Sequence, residues 1–292
     1  MKLSDLSFGE LIRDAEFNWL GLTAEEYFQK KHLTFLTSDK YIDELNNNKS
    51  VSAVITTKEL VPCISKNVGI LVVQNPKTDF FELHNKLAET NFYNKNIVAN
   101  KISKKANIAD TVKIRGKNIV IEDDVIIDDY VVIYSNVTIR KGTRIGAGTI
   151  VGSRPLEVLT LSDKNIPIIP IGEIFIDEFV NIQSNSTVEM GVFGQTYIGK
   201  YVQIDDLVQI GHDVKIQDQA IIVAGSVIGG RTRIGKKSYI SINATLRNGI
   251  EIGEESRVSM GAVVSRSVES GKTVTGNLAI EHSKFMENLK KI

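Results

Sequence analysis

Among the side chains that could take part in chemistry, one histidine has a distinctive sequence setting. The chain has four histidines, and three of them, His32, His84 and His282, share no spacing typical of metal ligands. His212 stands in the segment QIGHDVKI, two residues after an aliphatic residue and directly before Asp213. With an ordinary pKa of about 6.5, an imidazole can accept a proton at neutral pH, as a general base does. An isolated histidine is more often structural, so the elements that position His212 must decide between the two interpretations.

The composition argues against several other classes of function. Lysine plus arginine equals aspartate plus glutamate, at 35 residues each, so no basic excess favours a nucleic acid. Acids interrupt the start, MKLSDLSFGELIRD, and no run of about eighteen apolar residues occurs, so we expect a cytoplasmic protein without a membrane span. Cys63 is the only cysteine, which rules out an internal disulfide, and within VPCIS we expect it to lie in the core.

An aliphatic residue returns at every sixth position over much of the chain. A period of six fits neither an amphipathic helix nor simple strand alternation, but it suits short strands joined by tight corners, three strands to a triangular coil. Such hexapeptide repeats indicate a left-handed parallel β-helix, an exception to the usual right-handed crossover. The side chains expected to point into this prism are Ile121, Ile127, Ile133, Ile139, Ile145, Val151, Ile176, Ile182, Val188, Ile198, Ile204, Ile210, Ile216, Ile222, Ile228, Ile234, Ile240, Leu246, Ile252, Val258 and Val264.

Two interruptions break this repeat, and a charge pattern predicts how the coils align across them. If three hexads make a coil, residues about eighteen apart stack roughly 4.8 Å from each other, which is one strand spacing. The third residue of the first hexad in each coil then alternates in charge all the way up the prism, as expected of a solvated face of opposite charges. This column is Asp123, Lys141, Glu178, Lys200, Asp218, Lys236 and Glu254.

The other segments divide the chain into three parts. Residues 1–99 are expected to form a small α/β domain, with VSAVITT and VGILVV as strands and FGELIRDAEF and TDFFELHNKLAE as helices. Residues 100–269 form the prism, and residues 152–173, which hold three of the five prolines, form a loop that leaves it. Residues 270–292 are a tail with a short helix, in which Phe285, Met286 and Leu289 have helical spacing and pack on the prism or a neighbour.

The chain resembles the sugar N-acyltransferases typified by the UDP-3-O-acylglucosamine N-acyltransferases of lipid A synthesis. In the first domain, HLTFLTSDKYIDEL, VSAVITT and GILVVQNP are similar to that family's amino-terminal module. In the prism, IPIGEIFIDEFVNIQSNSTVE and TYIGKYVQIDDLVQIGHDVKI follow the family in order and spacing, and the resemblance covers nearly the whole chain. It implies transfer of an acyl group from a thioester to the amine of a nucleotide-linked sugar, without a metal, by a homotrimer with active sites between subunits.

The match departs from the lipid A branch of that family at several positions. The branch has a second histidine where this chain has Gly249, an Asp-Arg pair where it has Glu189 and Met190, and an aromatic residue where it has Thr78. The chain also resembles enzymes that acylate dTDP-linked amino dideoxysugars, such as those of anthrose-type surface sugars. We therefore expect a dTDP-linked amino deoxysugar and acyl-CoA as substrates. The alternatives are a UDP-linked lipid A precursor with an acyl-carrier protein, and a non-catalytic β-helix scaffold.

The resemblance assigns roles to residues of the prism. His212 matches the catalytic base, and Gly230, in the same corner column, matches the glycine whose backbone N–H faces the thioester carbonyl. A purely conformational role is the alternative for Gly230. We expect the His212 side chain to point outward from its corner, toward a seam between subunits. Glu189, on the preceding coil, orients the imidazole or holds the sugar, whereas Asp213 would point the other way in a strand.

The resemblance also assigns two binding regions. The nucleotide base is expected around Asn75 and Pro76, where Asn75 could pair with a pyrimidine edge while Phe80 or Phe81 stacks on it. A turn residue followed by two core phenylalanines is the alternative there. The acyl carrier is expected along the prism, where small residues permit close backbone approach. These small residues are Ala224, Gly225, Gly229 and Gly230.

Overall fold

The computed structural model describes residues 1–25, 27, 30–93, 98–276 and 281–290. They group into two compact units. The amino-terminal unit comprises residues 1–98, 154–173 and 191–195, and the prism comprises residues 99–153, 174–190 and 196–292. Both interruptions of the hexapeptide repeat therefore supply residues to the amino-terminal unit.

The amino-terminal unit contains a five-stranded sheet in the order β1-β5-β4-β3-β2. Strand β1 is antiparallel to β5, and the other neighbouring strands are parallel. The strands are β1 (Glu10–Arg13), β2 (Trp19–Leu20), β3 (His32–Leu36), β4 (Val51–Thr56) and β5 (Gly69–Val72). The α-helices are α1 (Ile42–Asn47) and α2 (Pro76–Ala88), and short 3₁₀ helices span Leu3–Asp5, Asp39–Tyr41 and Lys58–Cys63.

The structure corrects the predictions for the segment FGELIRDAEF and for Cys63. The segment FGELIRDAEF, predicted as a helix, contains the edge strand β1 instead. Its Phe17 is buried, but Leu11 and Ile12 are 42% and 45% exposed, so the segment does not present one buried helical face. Cys63, predicted in the core, is exposed because it ends a 3₁₀ helix.

The first interruption of the repeat folds as part of the amino-terminal unit. It contains an antiparallel pair of strands, β6 (Val158–Thr160) and β7 (Asn165–Pro167). Helix α2 holds this segment through two neighbouring side chains. The Asn85 amide donates to the carbonyl of Pro167 and accepts from the N–H of Ile169, both at 3.0 Å. The Nε2 atom of His84 lies 2.8 Å from the carbonyl oxygen of Ile169.

The prism is a left-handed parallel β-helix made of three parallel sheets, as the period of six predicts. Each strand pairs with the strand of the same sheet one coil earlier and one coil later. The first sheet consists of Asn107–Ile108, Ile126–Ile127, Arg144–Ile145, Asn181–Ile182, Gln203–Ile204, Ile221–Ile222, Tyr239–Ile240, Arg257–Val258 and Thr273–Val274. The second consists of Lys113–Arg115, Val132–Tyr134, Ile150–Ser153, Thr187–Glu189, Gln209–Ile210, Val227–Ile228, Thr245–Leu246 and Val263–Val264. The third consists of Lys101–Ile102, Ile119–Ile121, Val137–Ile139, Glu173–Ile176, Gln195–Ile198, Lys215–Ile216, Arg233–Ile234 and Glu251–Ile252.

The predicted phase of the repeat is confirmed by burial and by strand register. Each aliphatic residue predicted to point inward is at most 8% exposed. Strand pairing aligns Ile145 with Ile182 and Ile182 with Ile204, so the phase holds across both interruptions. Where the interior narrows, buried hydroxyls bond to the backbone, as when Oγ1 of Thr149 donates to the carbonyl of Gln183 at 2.8 Å. The coils therefore stack without slipping.

The corners of the prism repeatedly use a left-handed backbone conformation. Leu207, Asp213 and Gln219, six residues apart, have φ angles of 59°, 57° and 63°. Gly225 and Gly249 hold the same corner position and both have a φ angle of 70°. Because leucine, aspartate and glutamine adopt this conformation at other corners, the backbone favours glycine at these two positions but does not require it.

A short helix, α3 (His282–Leu289), ends the described chain, as predicted. The packing predicted for Phe285 and Leu289 falls on side chains outside the described residues. Within the described ranges, no helix is both long enough and apolar enough to cross a membrane.

Candidate functional site

His212 lies at a corner of the prism, in the turn between strands Gln209–Ile210 and Lys215–Ile216. The location at a corner agrees with the prediction, but the side chain is covered by other residues of its own chain. His212 is only 5% exposed in the single chain. Its ring packs on the backbone of Gly230, and its Nδ1 atom lies 3.0 Å from Oδ2 of Asp213. The imidazole is thus held in one orientation by neighbours in its own chain.

Asp213 contacts the imidazole ring directly. In strand geometry, as predicted for this segment, Asp213 would face away from His212. The residue instead sits at the corner with a φ angle of 57°, and its backbone N–H donates to Oγ1 of the buried Thr196 at 2.9 Å. This backbone turn brings the Asp213 carboxylate to Nδ1 of the ring. Nε2, the other ring nitrogen, faces Gly230.

Glu189 acts on the backbone of the same corner. Its Oε2 atom accepts a hydrogen bond from the backbone N–H of His212 at 3.1 Å, and its Oε1 atom accepts from the Gln209 amide at 3.4 Å. Burial raises the pKa of the Glu189 carboxyl above its usual value. The structure therefore places the predicted orienting residue beneath the corner that carries the histidine.

Gly230 lies against the imidazole, one coil beyond His212. A Cβ atom at this position would be 2.7 Å from Cε1 and 2.8 Å from Cδ2 of the ring, closer than side chains pack. The carbonyl of Gly230 accepts from the N–H of Gly249 at 2.9 Å. Its own N–H donates to no acceptor within the part of the chain that the structure describes, although Gly230 is buried. The corner thus combines the His212 imidazole, a group that can accept a proton, with the buried N–H of Gly230, which is not hydrogen-bonded to any described residue.

The other small residues predicted to line the acyl carrier are half-buried, and the structure gives conformational reasons for two of them. Gly225 has a φ angle of 70°. A Cβ atom on Gly229 would lie 2.6 Å from the backbone nitrogen of Asn248. The backbone N–H of Ala224 donates to Oδ2 of Asp205 at 3.2 Å. Their role toward an acyl carrier stays a prediction.

The predicted stacking of a nucleotide base on Phe80 or Phe81 is wrong. These side chains are 0% and 3% exposed and lie in an aromatic core with Phe35 and Phe193. They occupy the inner face of helix α2, where burial of the rings stabilises the unit. Asn75, by contrast, is exposed directly before α2, and its carbonyl accepts from the N–H of Asp79 at 3.0 Å.

A pocket beside Asn75 was missed by the sequence analysis. It has a volume of about 600 Å³ and lies where strands β4 and β5 end and helix α2 begins. The carboxyl ends of parallel strands are a common place for ligands in α/β units. Burial, together with Glu82, raises the pKa of the Asp79 carboxyl in its wall. In the sequence, the Asn75-Pro76 pair indicates where helix α2 begins. The other walls of the pocket can be identified only from the order of the strands in the sheet. The pocket is lined by Phe8, Gly9, Glu10, Thr57, Lys58, Glu59, Val72, Val73, Gln74 and Asp79.

A metal centre does not emerge from the geometry. Among the described residues, no group of three or more His, Cys, Asp or Glu side chains could hold a metal ion. His84 instead bonds with backbone and tyrosine, since its Nδ1 lies 2.7 Å from the hydroxyl of Tyr93.

Comparisons with known proteins agree with this architecture. Residues 118–153 and 195–230 match the family model described as bacterial transferase hexapeptide (six repeats). A UDP-3-O-acylglucosamine N-acyltransferase from Helicobacter hepaticus is 35% identical over 237 residues, which cover 76% of this chain and 72% of that protein. One from Campylobacter lari is 37% identical over 220 residues, covering 67% of this chain and 68% of its own. One from Syntrophus aciditrophicus is 44% identical over 70 residues, only 24% of this chain and 19% of that relative.

Solved structures show the same fold. The crystal structure of the UDP-N-acetylglucosamine O-acyltransferase from Moraxella catarrhalis aligns with a TM-score of 0.50 and 19% sequence identity. The alignment covers 65% of this chain and 76% of that one.

Proposed function

Because this chain belongs to the family of UDP-3-O-acylglucosamine N-acyltransferases, we propose that it transfers an acyl group from a thioester to the amine of a nucleotide-linked sugar. In this reaction the amine nitrogen attacks the thioester carbonyl, the carbon–sulfur bond breaks, and an amide and a free thiol form. The proton lost by the amine ends on the thiol. One observation carries the proposal. The His212 imidazole and the N–H of Gly230, which has no hydrogen-bond partner among the described residues, lie next to each other at one corner of the prism.

Each group at this corner has a distinct task. Nε2 of His212 takes the proton of the attacking amine, a contribution of about 10²- to 10⁴-fold, while Asp213 holds Nδ1. The N–H of Gly230 donates to the oxyanion of the tetrahedral intermediate, and such a donor is typically worth about 10²- to 10³-fold. The thiol leaving group has an ordinary pKa of about 8.5, so its departure needs little assistance. Glu189 holds the backbone from which His212 projects.

The relatives support a UDP-linked glucosamine, the alternative in the sequence analysis, over the dTDP-linked sugar that was ranked first. A dTDP-linked amino deoxysugar is kept as a second candidate because Gly249 stands where the lipid A branch has a histidine. Among the described residues, no atom lies within 4 Å of its Cβ position, so packing does not require a glycine there, although its φ angle of 70° favours one. The acyl donor is either acyl-CoA or an acyl-carrier protein, bound along the small residues from Ala224 to Gly230.

The pocket beside Asn75 is the proposed site for the nucleoside. Carboxylates of Glu10, Glu59 and Asp79 line it, together with the cation of Lys58. Such acceptors suit the hydroxyl and N–H donors of a nucleoside better than they suit phosphates, because like charges repel. We therefore place the diphosphate outside the pocket, and we propose that Asn75, which follows the lining residue Gln74 in sequence, reaches the edge of the base.

We propose that the protein is a homotrimer with its sites between subunits, as the family resemblance implies, and that it is cytoplasmic, as expected from its sequence. Sedimentation equilibrium at micromolar concentration is expected to give the mass of three chains. A stable monomer that retains full activity would contradict this part of the proposal.

The substrates are tested by mixing the protein with acyl-CoAs or acyl-carrier protein and a panel of UDP- and dTDP-linked amino sugars. Free thiol is followed with a chromogenic disulfide, and the acylated sugar is identified by mass. Turnover with a UDP-linked aminoglucose supports the first candidate, and turnover with dTDP-linked sugars alone supports the second. The absence of thiol release and amide product with every pair would contradict both and favour a scaffold.

A further inference from the structure

Acidic side chains cap backbone amides at several corners of the prism. In each case, the acid directly follows an inward-pointing aliphatic residue, as Asp205 follows Ile204. The amide lies one coil further along the chain, two residues after the aliphatic residue of that coil, as Ala224 lies two residues after Ile222. The distances are 3.1 to 3.2 Å, normal for N–H···O hydrogen bonds. The donor-to-acceptor pairs are Lys141 to Glu122, His212 to Glu189 and Ala224 to Asp205.

The same position opposite Gly230 is occupied by Gly211. Strand register pairs Ile210 with Ile228, so Gly211 stands toward Gly230 as Asp205 stands toward Ala224. A Cβ atom on Gly211 would lie only 2.7 Å from the backbone nitrogen of Gly230. Because Gly211 has no side chain, it cannot cap that amide.

Other glycines at this position do not leave a buried donor. Gly229 holds the position of Gly211 one coil later, and a Cβ atom there would lie 2.6 Å from the backbone nitrogen of Asn248. Asn248 is exposed, so water can serve its amide. Gly230 is buried beneath the His212 ring, and an unpaired buried N–H is costly unless something binds it. In the part of the chain that the structure describes, the unpaired amide beneath the His212 ring thus differs from that of Asn248 in being buried.

We propose that Gly211 is a positioning residue that keeps the Gly230 N–H free to bind the oxyanion of the acyl-transfer reaction. This inference rests on the proposed function. A residue with an acceptor at position 211 would bond the amide in the resting protein, as Asp205 bonds that of Ala224. A carboxylate there would also repel the negative charge that develops on the carbonyl oxygen.

The test compares substitutions that differ in their acceptor. Gly211→Asp is expected to lower kcat by about 10²- to 10³-fold, the cost of losing one oxyanion donor. KM is expected to change little, because the oxyanion exists only beyond the ground state. Gly211→Ala adds bulk without an acceptor and is expected to lower kcat less than about tenfold. The hydroxyl of a Gly211→Ser variant can accept a hydrogen bond, as the hydroxyl of Ser270 accepts one from the Glu254 amide. Its kcat is expected to lie between those of the Ala and Asp variants. The Ser variant replaces the Asp variant if the latter does not fold.

A matched control separates steric cost from the effect on the reaction. Gly235 has the same place in its hexad, and a Cβ atom there would lie 2.5 Å from the nitrogen of Glu254. Gly235→Asp is expected to keep kcat within about twofold of the unsubstituted protein while sharing the backbone crowding. Thermal unfolding of both Asp variants shows whether their stability is matched.

A crystal structure of the Gly211→Asp variant gives a second readout that does not depend on activity. The new carboxylate is expected within about 3.2 Å of the Gly230 nitrogen. A carboxylate turned away from that amide, or equal losses of kcat in the Ala and Asp variants, would overturn the inference. If the unsubstituted protein turns over no substrate pair, the proposed function fails, and the crystal structure still decides whether position 211 controls the amide.

Discussion

The prism and the amino-terminal unit bring distant residues together by different means. In the prism, one register is repeated in every coil, so His212 and Gly230 meet because their strands are neighbours in a sheet. In the amino-terminal unit, the pocket walls come from strand ends, a 3₁₀ helix and helix α2, which share no repeat. Under the proposed function, this contrast corresponds to a division of labour, with acyl transfer in the prism and nucleoside recognition in the amino-terminal unit.

Removal of the imidazole is expected to separate the functions of the two units most clearly, because it should affect catalysis and not nucleotide binding. His212→Ala is expected to lower kcat by about 10²- to 10⁴-fold because the attacking amine loses its base. Binding of UMP or dTMP, measured by calorimetry, is expected to stay unchanged because the pocket lies in the other unit. Near-normal turnover would remove His212 from the mechanism, and a lost nucleotide affinity would contradict the division of labour.

Two aromatic rings, one in each unit, differ in burial and therefore in their expected contribution to stability. Phe80→Ala is expected to destabilise the amino-terminal unit by about 3 to 5 kcal/mol, because a fully buried ring leaves a cavity. Phe179, on a prism corner, is 41% exposed and stacks on Tyr201, so Phe179→Ala should cost at most about 1.5 kcal/mol. Urea unfolding followed by circular dichroism compares them. Equal losses would show that burial does not distinguish these rings.

Acid is expected to weaken the amino-terminal unit before the prism. Burial lowers the pKa of His32 to about 4, whereas an unfolded histidine titrates near 6.5. As the pH falls from about 6.5 to 4, the unfolded chain binds a proton that the folded unit does not, so stability is lost over this range, by up to about 3 kcal/mol. Above pH 6.5 the contribution is constant.

Trp19 allows this prediction to be checked, because it is the only tryptophan in the sequence and lies in the amino-terminal unit. Urea unfolding followed by its fluorescence at pH 7 and pH 4.5 should show the loss. His32→Leu serves as the control and should flatten the pH dependence. An unchanged slope in that variant would assign the acid sensitivity to other groups.

The charge column of the prism should contribute least. Lys200 Nζ lies 2.8 Å from Oε2 of Glu178, but the two side chains are 44% and 26% exposed. Water and salt screen such pairs. A double-mutant cycle of Lys200→Ala and Glu178→Ala should give no coupling beyond experimental error at 0.5 M salt. A strong, salt-independent coupling would mean that this face is not simply solvated.

The same contrast explains what the sequence could predict. The inward residues, the register across both interruptions and the column that joins His212 to Gly230 follow from a period of six, which is a local property. Phe80 and Phe81 were misassigned because their burial depends on Phe193, which arrives from the second interruption. The contact of Asp213 with the imidazole was missed because the corner turns the residue out of strand geometry.

The most direct test of the account is a crystal structure with the nucleotide-linked amino sugar and an unreactive ketone analogue of the acyl thioester. If His212 is the base and Gly230 the oxyanion donor, the sugar amine is expected within about 3.2 Å of Nε2 of His212 and the ketone oxygen within about 3.1 Å of the Gly230 nitrogen. An amine bound out of reach of that imidazole, or a carbonyl oxygen bonded to other donors, would contradict it.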